Sequence, residues 1–133
     1  MLKGIPNWEA ELRKQEFVPL IEKVLARSDG DYGVKDIFAA IEKRDMQLWS
    51  YEDGDVRALA VTQISIYPKR KYCVYVLTAS KSFMGRAFWR RMDMNISAWA
   101  KHQGCDAMKI IGRKGWGGVF DMKPSQSVFK RAI

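Results

Sequence analysis

Cysteine, histidine and long apolar runs are all scarce in this chain, and each scarcity excludes something. The two cysteines, Cys73 and Cys105, stand far apart and outside any Cys-x-x-Cys pattern, so neither a zinc site nor a disulfide framework is indicated. A reducing compartment is the expectation. His102 is the single histidine, which leaves little material for a histidine-based metal or catalytic cluster. No stretch approaches the roughly 18 apolar residues needed to span a bilayer, and Met1 to Trp8 lacks the apolar run of a signal peptide.

What remains is a chain of 133 residues with 47% hydrophobic and 12% aromatic residues. That supports a packed core and excludes disorder of the whole chain. A single domain over residues 1–133 is expected. The 23 Lys and Arg exceed the 15 Asp and Glu, for a net charge of +8 and a pI of about 9.6. The excess is unevenly placed: residues 1–55 carry 8 basic and 12 acidic side chains, net −4, and residues 56–133 carry 15 and 3, net +12. Nucleic acid, an anionic cofactor and an acidic partner protein all fit such a surface.

Periodicity orders the elements. From Asn7, behind Pro6, a helical pattern runs through Trp8, Leu12, Phe17, Leu20, Ile21, Val24 and Leu25, and Pro19 is expected to kink or divide it. A turn at Ser28 to Gly33 leads to a second helix, about Val34 to Arg44, with Ile37, Phe38 and Ile41 on one face. Strands follow at Gln47 to Tyr51, Val56 to Tyr67 and Lys71 to Thr78, joined by a hairpin turn at Asp53-Gly54 and a turn at Pro68 to Arg70. From Phe83 to Gln103 the period is helical, with Met84, Phe88, Met92, Ile96 and Trp99 on one face and Gly104 as the stop. A short strand at Asp106 to Ile111, a glycine-rich loop or helix start at Gly112 to Gly118, and a last strand at Ser127 to Ile133 complete the order. The class is α+β, helices on a mixed, mainly antiparallel sheet.

This order, two N-terminal helices, a meander, a central helix, a strand, a short helix and a terminal strand, resembles that of the GNAT superfamily of N-acetyltransferases over nearly the whole chain. Met46-Gln47-Leu48-Trp49, Gly104-Cys105-Asp106 and Gly112-Arg113-Lys114-Gly115-Trp116 resemble in particular the small GNAT-like proteins of tailed bacteriophages. In GNAT enzymes a (Gln or Arg)-x-x-Gly-x-(Gly or Ala) turn opens the central helix and holds the pyrophosphate of acetyl-CoA on backbone N–H groups. The window that matches is Ser82 to Ala87. Gly85 and Ala87 fit, Ser82 stands where Gln or Arg is usual, and Lys81 precedes it. The resemblance therefore implies a cofactor site of Lys81, Ser82, Gly85, Arg86 and Ala87 if acetyl-CoA binds. The plain alternative is that Gly85 and Ala87 are small for close packing of helix on sheet.

Acetyl transfer needs a proton route from the amine and an acid for the thiolate. Many GNAT enzymes place a carboxylate on the meander and a Tyr after the later strand. Val56 to Thr78 holds no Asp or Glu, all five Tyr precede the central helix, and Trp116 or Phe120 occupies the region of that Tyr. Glu52, Asp53 and Asp55 are candidate bases but also ordinary turn residues. His102 reads as exposed beside a helix end, and Cys73 as a small buried hydrophobe. Basic groups gather at Lys69-Arg70-Lys71, at Lys81, Arg86, Arg90 and Arg91, and at Arg113-Lys114.

The function expected is a noncatalytic, structural or protein-interaction role in a phage particle or its assembly, without cofactor or metal. Partners would be other phage structural proteins, with DNA-backbone contact as a further use of the charge. The location would be the host cytoplasm during synthesis and then the virion. The alternatives are an acetyl-CoA-dependent N-acetyltransferase and a host-directed or DNA-associated phage protein.

Overall fold

The computed structural model describes residues 1–28, 30–112 and 115–133. Arg113-Lys114, part of the glycine-rich loop read from sequence, lies outside them. The elements run β1 (Leu2–Ile5), α1 (Asn7–Leu12), α2 (Lys14–Leu25), α3 (Val34–Glu42), β2 (Met46–Asp53), β3 (Asp55–Ile66), β4 (Lys71–Ser80), α4 (Gly85–His102), β5 (Ala107–Ile110) and α5 (Gly115–Val119). The five strands lie side by side in chain order, antiparallel except for the parallel pair β4 and β5.

Alternation along the strands divides the core in two. Met46, Leu48, Leu59, Val61, Leu77 and Ala79 meet Phe17, Leu20, Ile21, Ile37, Phe38 and Ile41 of α2 and α3 on one face. On the other, Ala58, Ala60, Cys73 and Tyr75 meet Trp89, Met92, Ile96 and Ala100 of α4 and Phe120 beyond α5. The helices that the sequence pattern marks as amphipathic therefore sandwich the sheet.

Three expectations are corrected. The first helix divides at Arg13, not Pro19. Pro19 is on the exposed side of α2, where its missing N–H costs one solvent-facing bond. Arg13 takes φ −104° and ψ 17° between the helices, and its guanidinium reaches Glu9, Glu16 and Glu52 at 2.9 Å each. A strand unforeseen from sequence, β1, pairs Leu2 with Tyr51 and Ile5 with Leu48 at the sheet edge. The last strand expected at Ser127 to Ile133 does not form: the segment is exposed and unpaired, with Phe129 91% exposed.

Candidate functional site

The site is built around the end of the pairing between β4 and β5. Their register covers only Tyr72↔Ala107 to Tyr75↔Ile110, whereas β4 continues to Ser80 along β3. At the same point β4 carries a bulge, since Thr62 of β3 opposes Tyr75 and Val61 opposes Leu77, with Val76 left over. Beyond Tyr75, β4 is paired on one side only among the described residues, so its other edge presents N–H and C=O groups without a strand partner there.

Helix α4 begins just beyond that edge. Gly85, its first residue, has φ +78°, a left-handed conformation that favours glycine. Among the described residues no side chain caps the helix, and its first turn contains no acid. Uncapped N–H groups and the helix dipole thus face solvent beside exposed Arg86 and Ala87, an arrangement suited to an anion.

The remaining positions expected to share this site divide. Ser82 is exposed next to the helix start. Lys81 is exposed too, but its ammonium is 2.5 Å from Asp55, and its backbone N–H donates to the Arg57 carbonyl at 2.9 Å, which ties it to the β2–β3 hairpin. Arg90 donates to the carbonyls of Val119 and Gly118 at 3.1 and 3.2 Å, so it closes α5 against α4 rather than extending a basic rim. Arg86 makes no ion pair among the described residues. Phe83, just ahead of α4, is 95% exposed.

Two candidate bases are engaged elsewhere. Glu52 meets Arg13 at 2.9 Å and Lys3 at 3.3 Å; burial pushes its carboxyl up, but the hydrogen bonds and cations around it outweigh burial and hold it below the usual range. Asp55 pairs with Lys81 and Arg57, and the Lys81 hydrogen bond lowers its pKa most. Asp53 is exposed at the hairpin and His102 is exposed at the end of α4. Cys73 is buried and free, its thiol pushed up to about 12 by burial, which makes it a poor nucleophile.

Sequence reasoning missed a polar pair beside the split. Tyr75, 2% exposed, donates its hydroxyl to Asp93 Oδ1 at 2.5 Å, and Ser97 donates to the same oxygen at 3.3 Å. Burial raises both Asp93 and Tyr75. Its signal was present: Asp93 stands four residues after Trp89 and three before Ile96, on the stripe that α4 turns to the sheet. The Tyr75 ring stacks on Phe120 at 5.0 Å, and Trp116 stacks on Phe120 at 5.4 Å, so α5 is clasped over the split by aromatic contact. Gly117 permits the chain to close there, because a Cβ at that residue would come within 3.1 Å of the Met122 carbonyl oxygen.

No protein-family profile matches this sequence, and no curated protein matches it. Solved structures do. The chain is similar over its whole length to the BH1408 protein of Bacillus halodurans, crystallised as a tetramutant, covering 99% of that chain with a TM-score of 0.74 at 11% identity. It is similar to a GNAT family acetyltransferase of Staphylococcus aureus, covering 100% of this chain and 98% of that one, with a TM-score of 0.71 at 12% identity. For the ribosomal-protein-alanine N-acetyltransferase of Brucella melitensis biovar Abortus the coverage is 100% and 99%, the TM-score 0.72 and the identity 10%. The chain therefore has the GNAT-like α+β fold.

Proposed function

We propose that this chain is an acetyl-CoA-dependent N-acetyltransferase that works by binding and positioning, without a side-chain acid or base in the transfer itself. The observation that carries the reading is the splitting of β4 from β5 after Tyr75, alongside a helix opened by Gly85 and left uncapped. The fold, shared with structures described as acetyltransferases, supports it.

The residues present fit acetyl-CoA on two counts. Ser82, Gly85, Arg86 and Ala87 offer backbone N–H groups, a hydroxyl and a guanidinium to a pyrophosphate. The one-sided edge of β4 after Tyr75 offers hydrogen bonds to an extended arm bearing amides, in the manner of an added strand. When bound, acetyl-CoA supplies the thioester that an amine attacks. The contribution of the chain is then orientation, together with polarisation by backbone N–H groups. With Glu52 and Asp55 held in ion pairs, an amine reaching the thioester as its free base would pass its excess proton, by way of solvent, to the thiolate released as the C–S bond breaks. Lys81, held by Asp55, is left out of the pyrophosphate site.

Calorimetric titration with acetyl-CoA tests this reading, followed by thiol release in the presence of a panel of amines. Micromolar binding that Arg86→Glu and Gly85→Trp both weaken at least tenfold is expected. Absence of binding by the folded chain would overturn it.

A second reading, a noncatalytic interaction role in a phage particle with other phage structural proteins as partners, is favoured by a different observation. Residues 123–133 are almost wholly exposed, carry Val128 and Phe129 beside Lys130 and Arg131, and contain no acid. An apolar pair flanked by cations suits docking on an acidic partner surface. Mass spectrometry of purified particles tests it, and consistent absence from particles and assembly intermediates would exclude it.

A further inference from the structure

The opposite end of the sheet carries a second surface. Strand β4 is 10 residues long, so its start lies about 30 Å from its Ser80 end, beyond which α4 begins, and about 13 Å from Tyr75, where β5 stops pairing. Cys73 belongs to the face covered by α4, so its neighbours Tyr72 and Val74 point to the other face, together with their cross-strand partners Ser65 and Gln63. Lys109 joins them, paired with Val74 and lying between Met108 and Ile110, which pack under α4. Helices α2 and α3 cover this face only at its other end, where they meet Leu48, Leu59, Val61, Leu77 and Ala79.

On the uncovered part lies a shallow depression of about 450 Å³ lined by Tyr67, Pro68, Lys69, Arg70, Tyr72 and Lys109. The two tyrosine rings stand edge to face, centroids 5.8 Å apart. The Lys109 ammonium lies 5.1 Å from the centre of the Tyr72 ring and 5.8 Å from that of Tyr67. Tyr67 is 52% exposed, its backbone held by a 2.7 Å hydrogen bond to the Arg70 carbonyl across the turn. Lys69, Arg70 and Lys109 make no ion pair among the described residues. The carboxylate beside them, Asp106, accepts from the Lys71 N–H at 2.8 Å, and the Lys71 ammonium is taken by the Gln103 carbonyl at 2.6 Å. Gln126 also lines the depression, bringing the acid-free segment 123–133 alongside.

We propose that this end of the sheet binds single-stranded nucleic acid, with Tyr67 and Tyr72 as stacking surfaces for bases and Lys69, Arg70 and Lys109 as contacts to phosphates. An open surface with one exposed ring, Tyr67, and one partly exposed ring, Tyr72, among cations that make no ion pair in the described residues matches what a single strand presents, base faces and backbone charge together. A duplex keeps its base faces stacked inside, and an acidic peptide has charge but no planar face for the rings. The site is separate from the acetyl-CoA site and does not depend on it.

Fluorescence anisotropy of the full chain with a labelled oligothymidine of about 15 nucleotides, its duplex and labelled polyglutamate tests the proposal. The single strand is expected to bind tightest, with affinity falling log-linearly as salt rises. Tyr67→Ala is expected to weaken it about 5- to 100-fold, and Tyr67→Phe to restore it. Lys69→Gln combined with Arg70→Gln is expected to flatten the salt dependence, a readout that survives if Tyr67→Ala proves unstable. Absence of binding at low salt, equal affinity for duplex or polyglutamate, or indifference to both sets of substitutions would overturn it.

Discussion

The Tyr75 hydroxyl donates to Asp93 across 2.5 Å, which joins β4 to α4 at the residue where β5 stops pairing. A half-buried carboxylate is thereby held by a phenol rather than by a cation. Such a pair stabilises the folded chain only while it is intact, because a lone Tyr75 hydroxyl would be buried without an acceptor and a lone Asp93 would keep only its longer Ser97 contact.

Tyr75→Phe is expected to cost about 1–3 kcal/mol, since it leaves Asp93 with only the longer Ser97 contact. Urea denaturation measures this. Acetyl transfer normalised to folded protein is expected to persist, because this hydroxyl is buried and committed to Asp93, and burial pushes its pKa up.

Asp93 also sets a pH dependence. Burial raises its folded pKa above the ordinary aspartate value, so its contribution is fully present below that range and is lost as pH climbs through the raised value. Relative to wild type, Asp93→Asn is therefore expected to gain stability between mildly acid and neutral pH. Parallel denaturation curves across that interval check it, and a constant difference would contradict it.

Arg13 gives the opposite sign. Its hydrogen bond to Glu16 lowers that carboxyl, and Glu52 is also lowered overall. The stability from these carboxylates is present above the ordinary glutamate range and is lost as pH falls through their depressed values. Arg13→Met is expected to cost about 1–2 kcal/mol near neutrality, after discount for solvent screening, and much less in acid. The thermal midpoint at two pH values reads the difference.

Phe120→Ala removes a ring that is almost fully buried and stacked on both Tyr75 and Trp116. The expected cost is about 3–5 kcal/mol. Hydrogen exchange should locate the loosening in α5 and the facing part of α4, while β1 and β2 keep their protection.

The meander and the amphipathic helices were legible because their apolar periods match what they bury: Ile37, Phe38 and Ile41 on α3, and Met92 and Ile96 on α4. Strand β1 was not, because four residues reading Leu-Lys-Gly-Ile carry too short a pattern and depend on the edge of β2 for their hydrogen bonds. Segment 127–133 misled in the opposite way, its Val128 and Phe129 alternating like a strand with no neighbour to pair. At the candidate site, Gly85 was identified by the motif window, whereas the Lys81–Asp55 pair and the Asp93–Tyr75 pair exist only once distant segments meet.

The bulge at Val76 leaves β4 as two half-strands spliced with a change of phase: Cys73 and Tyr75 serve one core layer, Leu77 and Ala79 the other. The strand therefore has a reading frame that shifts at one residue. Removing Val76 would restore unbroken alternation from Cys73 to Ala79 and still deliver Leu77 and Ala79 to their own layer, whereas removing Val74 or Thr78 would put a residue on the wrong face. At this one position, unlike its neighbours, a change in length leaves both core layers correctly supplied.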